Sequence, residues 1–184
     1  MEALKLEYYT YADYLTWDDD VRCELINGVV YKLETPSLFH QMILGEIFLQ
    51  IYKFAKGTAN KVFYAPLDVR LNPHTRDDTV VQPDILVVCD KEKVDKYGII
   101  GAPDLTIEVL SPSSIQHDVI RKQRIYREAG VREYWIVNPE SKELDILLFE
   151  TNEIKYHTQA ETAPVHILPG CEINLAEVFA AAEV

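Results

Sequence analysis

An α/β fold built on a mixed sheet is what this sequence predicts, and three observations predict it. Residues 85–89, 105–110 and 133–137 form short runs that are almost wholly apolar, as strands buried on both faces are. A helical pattern lies between the second and third run, which implies a strand–helix–strand crossover. Around these runs, shorter alternating segments are joined by tight-turn residues, which predict antiparallel hairpins at the edges.

Taken in order, a short helix is expected behind Thr10 as N-cap, over 11–17, ended by Asp18-Asp19-Asp20. Residues 23–26 and 29–31 flank Asn27-Gly28, the preferred pair for a type I′ turn, and so read as a hairpin. The longest helical pattern runs from Ser37 to Lys56. Met42, Ile43, Ile47, Ile51 and Phe54 recur at three- and four-residue steps, and Gly57 stops it. A strand is expected over 62–71, a polar turn over 73–78 and a central strand over 85–89. A loop over 91–103 and a second central strand over 105–110 follow, the latter ended by Ser111-Pro112-Ser113-Ser114. The crossover helix is expected from near Ile115 to Gly130, and the third central strand over 133–137. Residues 144–149 and 154–157 form a second hairpin around Thr151-Asn152, and a last helix covers 175–182.

The length of 184 residues suits a single domain, and 48% hydrophobic with 26% charged residues is ordinary globular composition. No apolar run approaches the roughly 20 residues that span a bilayer. Residues 1–7 have no basic head before an apolar segment, so no signal peptide is expected. Cys23, Cys89 and Cys171 are odd in number and far apart, which predicts reduced thiols, a cytoplasmic protein and no membrane partner. The net charge of −12 lacks the basic footprint of a typical nucleic-acid binder. Carboxylates that ligate a metal are compatible with it.

Two carboxylates stand where apolar residues belong. Asp84 opens the strand after Pro83, and Glu108 lies inside the next central strand. A charge there costs several kcal/mol unless it is paired or binds a metal. Hard oxygens at neighbouring strand ends are what Mg²⁺ or Mn²⁺ takes, with water and substrate phosphate completing the shell. Facing solvent or pairing with an arginine is the other reading of Glu108. On the crossover helix Ile115, Val119, Lys122, Tyr126 and Ala129 share one face, so Lys122 interrupts the apolar stripe and must snorkel out or reach a carboxylate. Tyr126 reads as core. Arg121, Arg124 and Arg127 form an outer strip, read as a solvated face.

Five strings in order resemble the Uma-type restriction endonuclease family, abundant in cyanobacteria and part of the PD-(D/E)xK nuclease superfamily. They are Glu24-Leu25-Ile26-Asn27-Gly28; Pro83-Asp84; Ile107-Glu108-Val109-Leu110-Ser111-Pro112-Ser113-Ser114; Asp118 with Lys122 and Tyr126; and Glu133-Tyr134-Trp135-Ile136-Val137. The resemblance runs from about Thr10 to Glu172 and implies a restriction-endonuclease-like fold. It implies a metal-dependent endonuclease hydrolysing phosphodiester bonds in nucleic acid, with DNA as the expected partner and a homodimer as the expected assembly. Asp84 and Glu108 would hold Mg²⁺ or Mn²⁺, with the Val109 carbonyl as a further ligand. The superfamily lysine normally stands two residues after the acidic residue, where this chain has Leu110. Lys122 looks like its migrated replacement. Glu24 resembles an N-terminal acidic residue that assists the metal, although strand alternation equally allows it to face solvent. His40 matches a family histidine, for which a helix-end hydrogen bond is expected. Leu38, Phe39 and the Ile99-Ile100 segment are candidates for a dimer surface. Two other readings stand beside catalysis: an inactive nuclease-fold module for binding or scaffolding in a mobile-element or defence system, and a buried ion pair serving no ligand.

Overall fold

Strand-forming runs and helical stripes settle here into two six-stranded sheets, one central and one outer. In a computed structural model the described residues are 7–17, 22–111 and 117–183, the side chains of His117 and Asp118 excepted. The Asp18–Asp20 stop, the Pro112–Ser114 strand end and the Ile115 helix start therefore lie outside the described residues.

Helix α1 (Tyr11–Tyr14) is shorter than expected. Thr16 Oγ1 donates to the Asp13 carbonyl at 2.7 Å, a side-chain bond that competes with continuing the helix. Strands β1 (Cys23–Ile26) and β2 (Val29–Lys32) form the expected hairpin. Asn27 and Gly28 both take positive φ, 50° and 77°, and a Cβ on Gly28 would fall 2.3 Å from the Tyr8 ring. Helix α2 (Leu38–Ala55) begins on Ser37, whose hydroxyl accepts the His40 N–H, and Gly57 turns away at φ 85°.

The strand expected over 62–71 divides. Its halves, β3 (Lys61–Tyr64) and β4 (Val69–Arg70), enter different sheets, because Pro66 has no N–H to continue a ladder. Next come β5 (Val80–Val81) and β6 (Ile85–Val88). The loop expected over 91–103 instead holds a 3₁₀ turn, β7 (Val94–Asp95) and β8 (Gly98–Ile100). Gly98 lets β8 approach β4: a Cβ there would stand 2.2 Å from the Asp68 carbonyl oxygen. Ile99 is consequently buried, which removes it from the candidate dimer surface, whereas Leu38 and Phe39 are exposed.

Strand β9 (Leu105–Val109), helix α3 (His117–Ala129) and strand β10 (Glu133–Asn138) form the crossover, with β9 and β10 parallel. Strands β11 (Glu143–Leu148) and β12 (Glu153–Thr158) pair antiparallel around Asn152. A small pair, β13 (Thr162–Pro164) with β14 (Glu172–Asn174), was not visible in the sequence pattern. Helix α4 (Leu175–Ala180) closes the described chain.

The central sheet has the order β12-β11-β10-β9-β6-β3 and the outer sheet β2-β1-β5-β4-β8-β7. Ile43, Ile47 and Ile51 of α2 and Val178 and Phe179 of α4 pack with Ile85, Ile107 and Trp135 on one face of the central sheet. Its other face packs Leu86, Tyr134 and Ile136 against Ile125 and Tyr126 of α3 and against Ile26, Val69 and Ile99 of the outer sheet. The seam between the sheets is where the unusual charges meet. No described helix is long and apolar enough to cross a membrane.

Candidate active site

Antiparallel pairing of β6 with β9 sets Ile85 opposite Ile107. The same register carries Asp84 alongside Glu108 at the strand ends. Asp84 Oδ2 accepts the Val109 N–H at 2.8 Å, which fixes the carboxylate against β9. Alternation along β9 sends Leu105, Ile107 and Val109 toward α2 and Glu108 toward α3. There Glu108 Oε1 accepts from Lys122 Nζ at 3.0 Å and from the Tyr126 hydroxyl at 2.6 Å. Lys122 also pairs with Glu24 Oε1 at 3.1 Å. Glu24, on β1 of the outer sheet, is buried rather than solvent-facing, and its carboxylate accepts the Gln82 N–H at 2.8 Å. Thus Asp84, Glu108, Lys122 and Glu24 all converge. The lysine reaches the carboxylates instead of snorkelling away.

His40 was expected to bond at the helix end. Its ring instead meets Asp84, with Nε2 3.1 Å from Oδ2, while its backbone N–H takes the Ser37 cap. Nothing in the sequence spacing could foretell this, since it depends on how α2 crosses the strand end at Asp84. The arginine strip behaves as a helix face. Arg121 lies over the Tyr31 ring, Arg124 pairs with Glu128, and Arg127 lies over Phe149 and bonds Asn152.

Not every buried carboxylate here is of this kind. Glu133 is fully buried too, yet it accepts from Trp135 Nε1 at 2.7 Å and from the N–H groups of Ile167 and His166. That is a structural acceptor held mainly by indole and backbone N–H groups, with the His166 ring Nδ1 also 3.4 Å from Oε1. Asp84 and Glu108, by contrast, open with Val109, Lys122 and His40 onto one cavity of about 440 Å³.

Electrostatics at the cavity floor are lopsided. Burial pushes Glu108 up to about 7; Lys122 counteracts this, but Asp84 and Glu24 add to the rise. Burial also pulls on Lys122, yet the charges of Glu108 and Glu24 outweigh it and hold the ammonium well above its ordinary value. The partners of one ion pair respond differently because one ammonium serves several carboxylates. Burial likewise lowers His40, but the hydrogen bond and charge of Asp84 prevail and raise it.

The fold favours protonated Glu108, so its stabilising contribution is complete below the ordinary value of 4.5 and lost as pH rises through about 7. In chelator, the wild type should lose melting temperature relative to Glu108→Gln across that window. Parallel pH profiles for the two proteins would contradict it.

The donor set suits a divalent cation. Negative charge exceeds positive at the floor. Both hydrogen bonds to Glu108 use Oε1 and both contacts to Asp84 use Oδ2, so each carboxylate keeps an oxygen without a hydrogen-bond partner among the described residues. No group of three His, Cys, Asp or Glu side chains assembles as a metal cluster among the described residues. An ion would therefore complete its shell from the Val109 carbonyl, water and substrate oxygens.

Comparison with known proteins agrees with this architecture. A crystal structure from Anabaena variabilis, described as "a putative nuclease belonging to DUF820", matches with a TM-score of 0.79 and 21% identity, over 95% of this chain and 99% of that one. At that identity the likeness shows the fold, which is restriction-endonuclease-like. An uncharacterized protein from Synechocystis is 27% identical over 137 residues, covering 73% of this chain and 70% of that protein. Residues 11–176 match the model of the family Uma2, described as "Putative restriction endonuclease". Because that match takes in every strand and charged group of the cavity floor, the chain belongs to the Uma2 family.

Proposed function

We propose that the protein is a divalent-metal-dependent endonuclease that hydrolyses phosphodiester bonds in DNA. The observation that carries this reading is the pair of carboxylates, Asp84 and Glu108, at adjacent strand ends on one cavity with a charged lysine beside them. Asp84, Glu108 and the Val109 carbonyl would hold Mg²⁺ or Mn²⁺. When bound, such an ion polarises the scissile phosphate and lowers the pKa of a coordinated water.

The chain's own groups have separable tasks. The Val109 N–H and His40 orient Asp84. Tyr126 and Lys122 orient Glu108. Lys122 remains protonated, so it does not take a proton from water; its ammonium stabilises negative charge gathering on the phosphoryl oxygens. Glu24 holds Lys122 in place from the outer sheet. Arg22 and Lys32 stand at the cavity wall and give an acidic protein a local site for phosphates. The homodimer belongs to the same reading, with exposed Leu38 and Phe39 as its apolar contribution.

Calorimetric titration of Mn²⁺ tests the centre without the substrate being known. Saturable binding is expected for the wild type, and its loss in both Asp84→Asn and Glu108→Gln. Wild-type affinity in both variants would exclude the assignment. A second reading, the nuclease fold kept as a non-catalytic binding module, draws on the net charge of −12 and on the commitment of Lys122 to two carboxylates. It expects metal binding with no cleavage of any nucleic acid.

A further inference from the structure

Tyr134 lies on β10 at the back of the charged cavity, whose wall it shares with Asp84, Glu108 and Lys122. Its side chain is fully buried, and its hydroxyl has no hydrogen-bond partner among the described residues. Neighbouring Tyr126 makes the contrast. The two rings meet edge to face with centroids 5.1 Å apart, but the Tyr126 hydroxyl is committed to Glu108 Oε1 at 2.6 Å.

A buried hydroxyl with no partner is unfavourable, and native structures rarely keep one without a reason. Phenylalanine would fill the same space without the unsatisfied group. The cavity already has acceptors in its carboxylates, and its lysine donates to two of them. Beside the Lys122 ammonium, the buried O–H of Tyr134 is a further donor at this cavity, and it is bound to no acceptor among the described residues. Burial, and then the charge of Glu108, keep that proton on the oxygen, so the group is a neutral donor.

We propose that Tyr134 Oη donates a hydrogen bond to a non-bridging phosphoryl oxygen of the substrate, holding the phosphate against the carboxylate centre. The substrate class rests on the nuclease reading; the presence of an anion-directed donor does not. A competing explanation is a trapped structural water shared with Thr106 Oγ1. That atom sits across the β9–β10 register from Tyr134 and is likewise without a partner among the described residues.

The experiment compares the wild type with Tyr134→Phe in the full chain. Melting in chelator, Mn²⁺ titration, binding of inorganic phosphate at saturating Mg²⁺, and cleavage of duplex DNA are measured for both. The expected variant melts at the wild-type temperature or above and keeps wild-type Mn²⁺ affinity. It binds phosphate about 10-fold more weakly and cleaves about 100-fold more slowly in kcat, the scale of losing one donor to a developing charge. A melting temperature lower by several degrees would instead assign the hydroxyl to the fold, through a trapped water. Unchanged phosphate affinity, or a wild type that binds no phosphate, would overturn the proposal directly. A wild type that binds metal and phosphate but cleaves nothing would end the nuclease reading alone, with the phosphate and melting results still deciding the role of Tyr134.

Discussion

Replacing Lys122 with methionine is expected to lower stability by about 3–5 kcal/mol, the range for removing one partner of a buried ion pair. The carboxylates it would abandon are well covered, with side-chain exposures of 3% for Glu24 and 11% for Glu108. The effect should depend on pH. Glu108 already tends toward its protonated form near 7, and protonation relieves part of the repulsion, so the loss should be larger at pH 8 than at pH 6. Divalent metal should restore part of the lost melting temperature, because an ion that binds only the folded state stabilises it in proportion to its occupancy. Thermal denaturation of wild type and Lys122→Met, with and without Mg²⁺ at both pH values, reads all of this. A large loss that metal leaves untouched would mean that the charges form an ion pair serving no ligand.

Asp84→Ala should have the opposite profile, with little effect on the fold and a severe effect on chemistry. The residue sits at the strand end and is partly open to the cavity, with a side-chain exposure of 16%. Its removal frees the Val109 N–H and the His40 ring beside a space that water can enter, so about 1 kcal/mol is the expected cost. Cleavage should fall by about 1000-fold or more, since the loss of metal assistance is worth several kcal/mol and each 1.36 kcal/mol is tenfold in rate. A DNA cleavage assay beside a melting curve checks both halves. Retained activity would remove Asp84 from the centre.

How much of this the sequence disclosed depended on whether the signal was local. The apolar runs at β6, β9 and β10 and the stripe of α3 are periodic features, so the central sheet and its crossover were legible. Asp84, Glu108 and Lys122 were legible for a related reason: each interrupts a pattern that should be apolar. Glu24 was ambiguous, because alternation gives two faces and not which of them another sheet will cover. His40 gave no local signal of its contact with Asp84, and Glu133, read as part of an apolar run, proved to be a buried acceptor for a returning segment. The division of the 62–71 strand and the extra hairpin within 91–103 were missed because sheet partners chosen far along the chain overrode weak local preference.

The pairing of Lys122 with carboxylates from both sheets implies a modular division of labour. Asp84 and Glu108 belong to the central sheet, while Arg22, Glu24 and Lys32 arrive on or beside the β1–β2 hairpin of the outer one. That hairpin can accumulate changes in its rim residues, and so in what it admits, as long as Glu24 keeps its grip on the lysine. Variants with an altered cavity rim would then be built by rewriting the outer hairpin, leaving the strands that carry Asp84 and Glu108 unaltered.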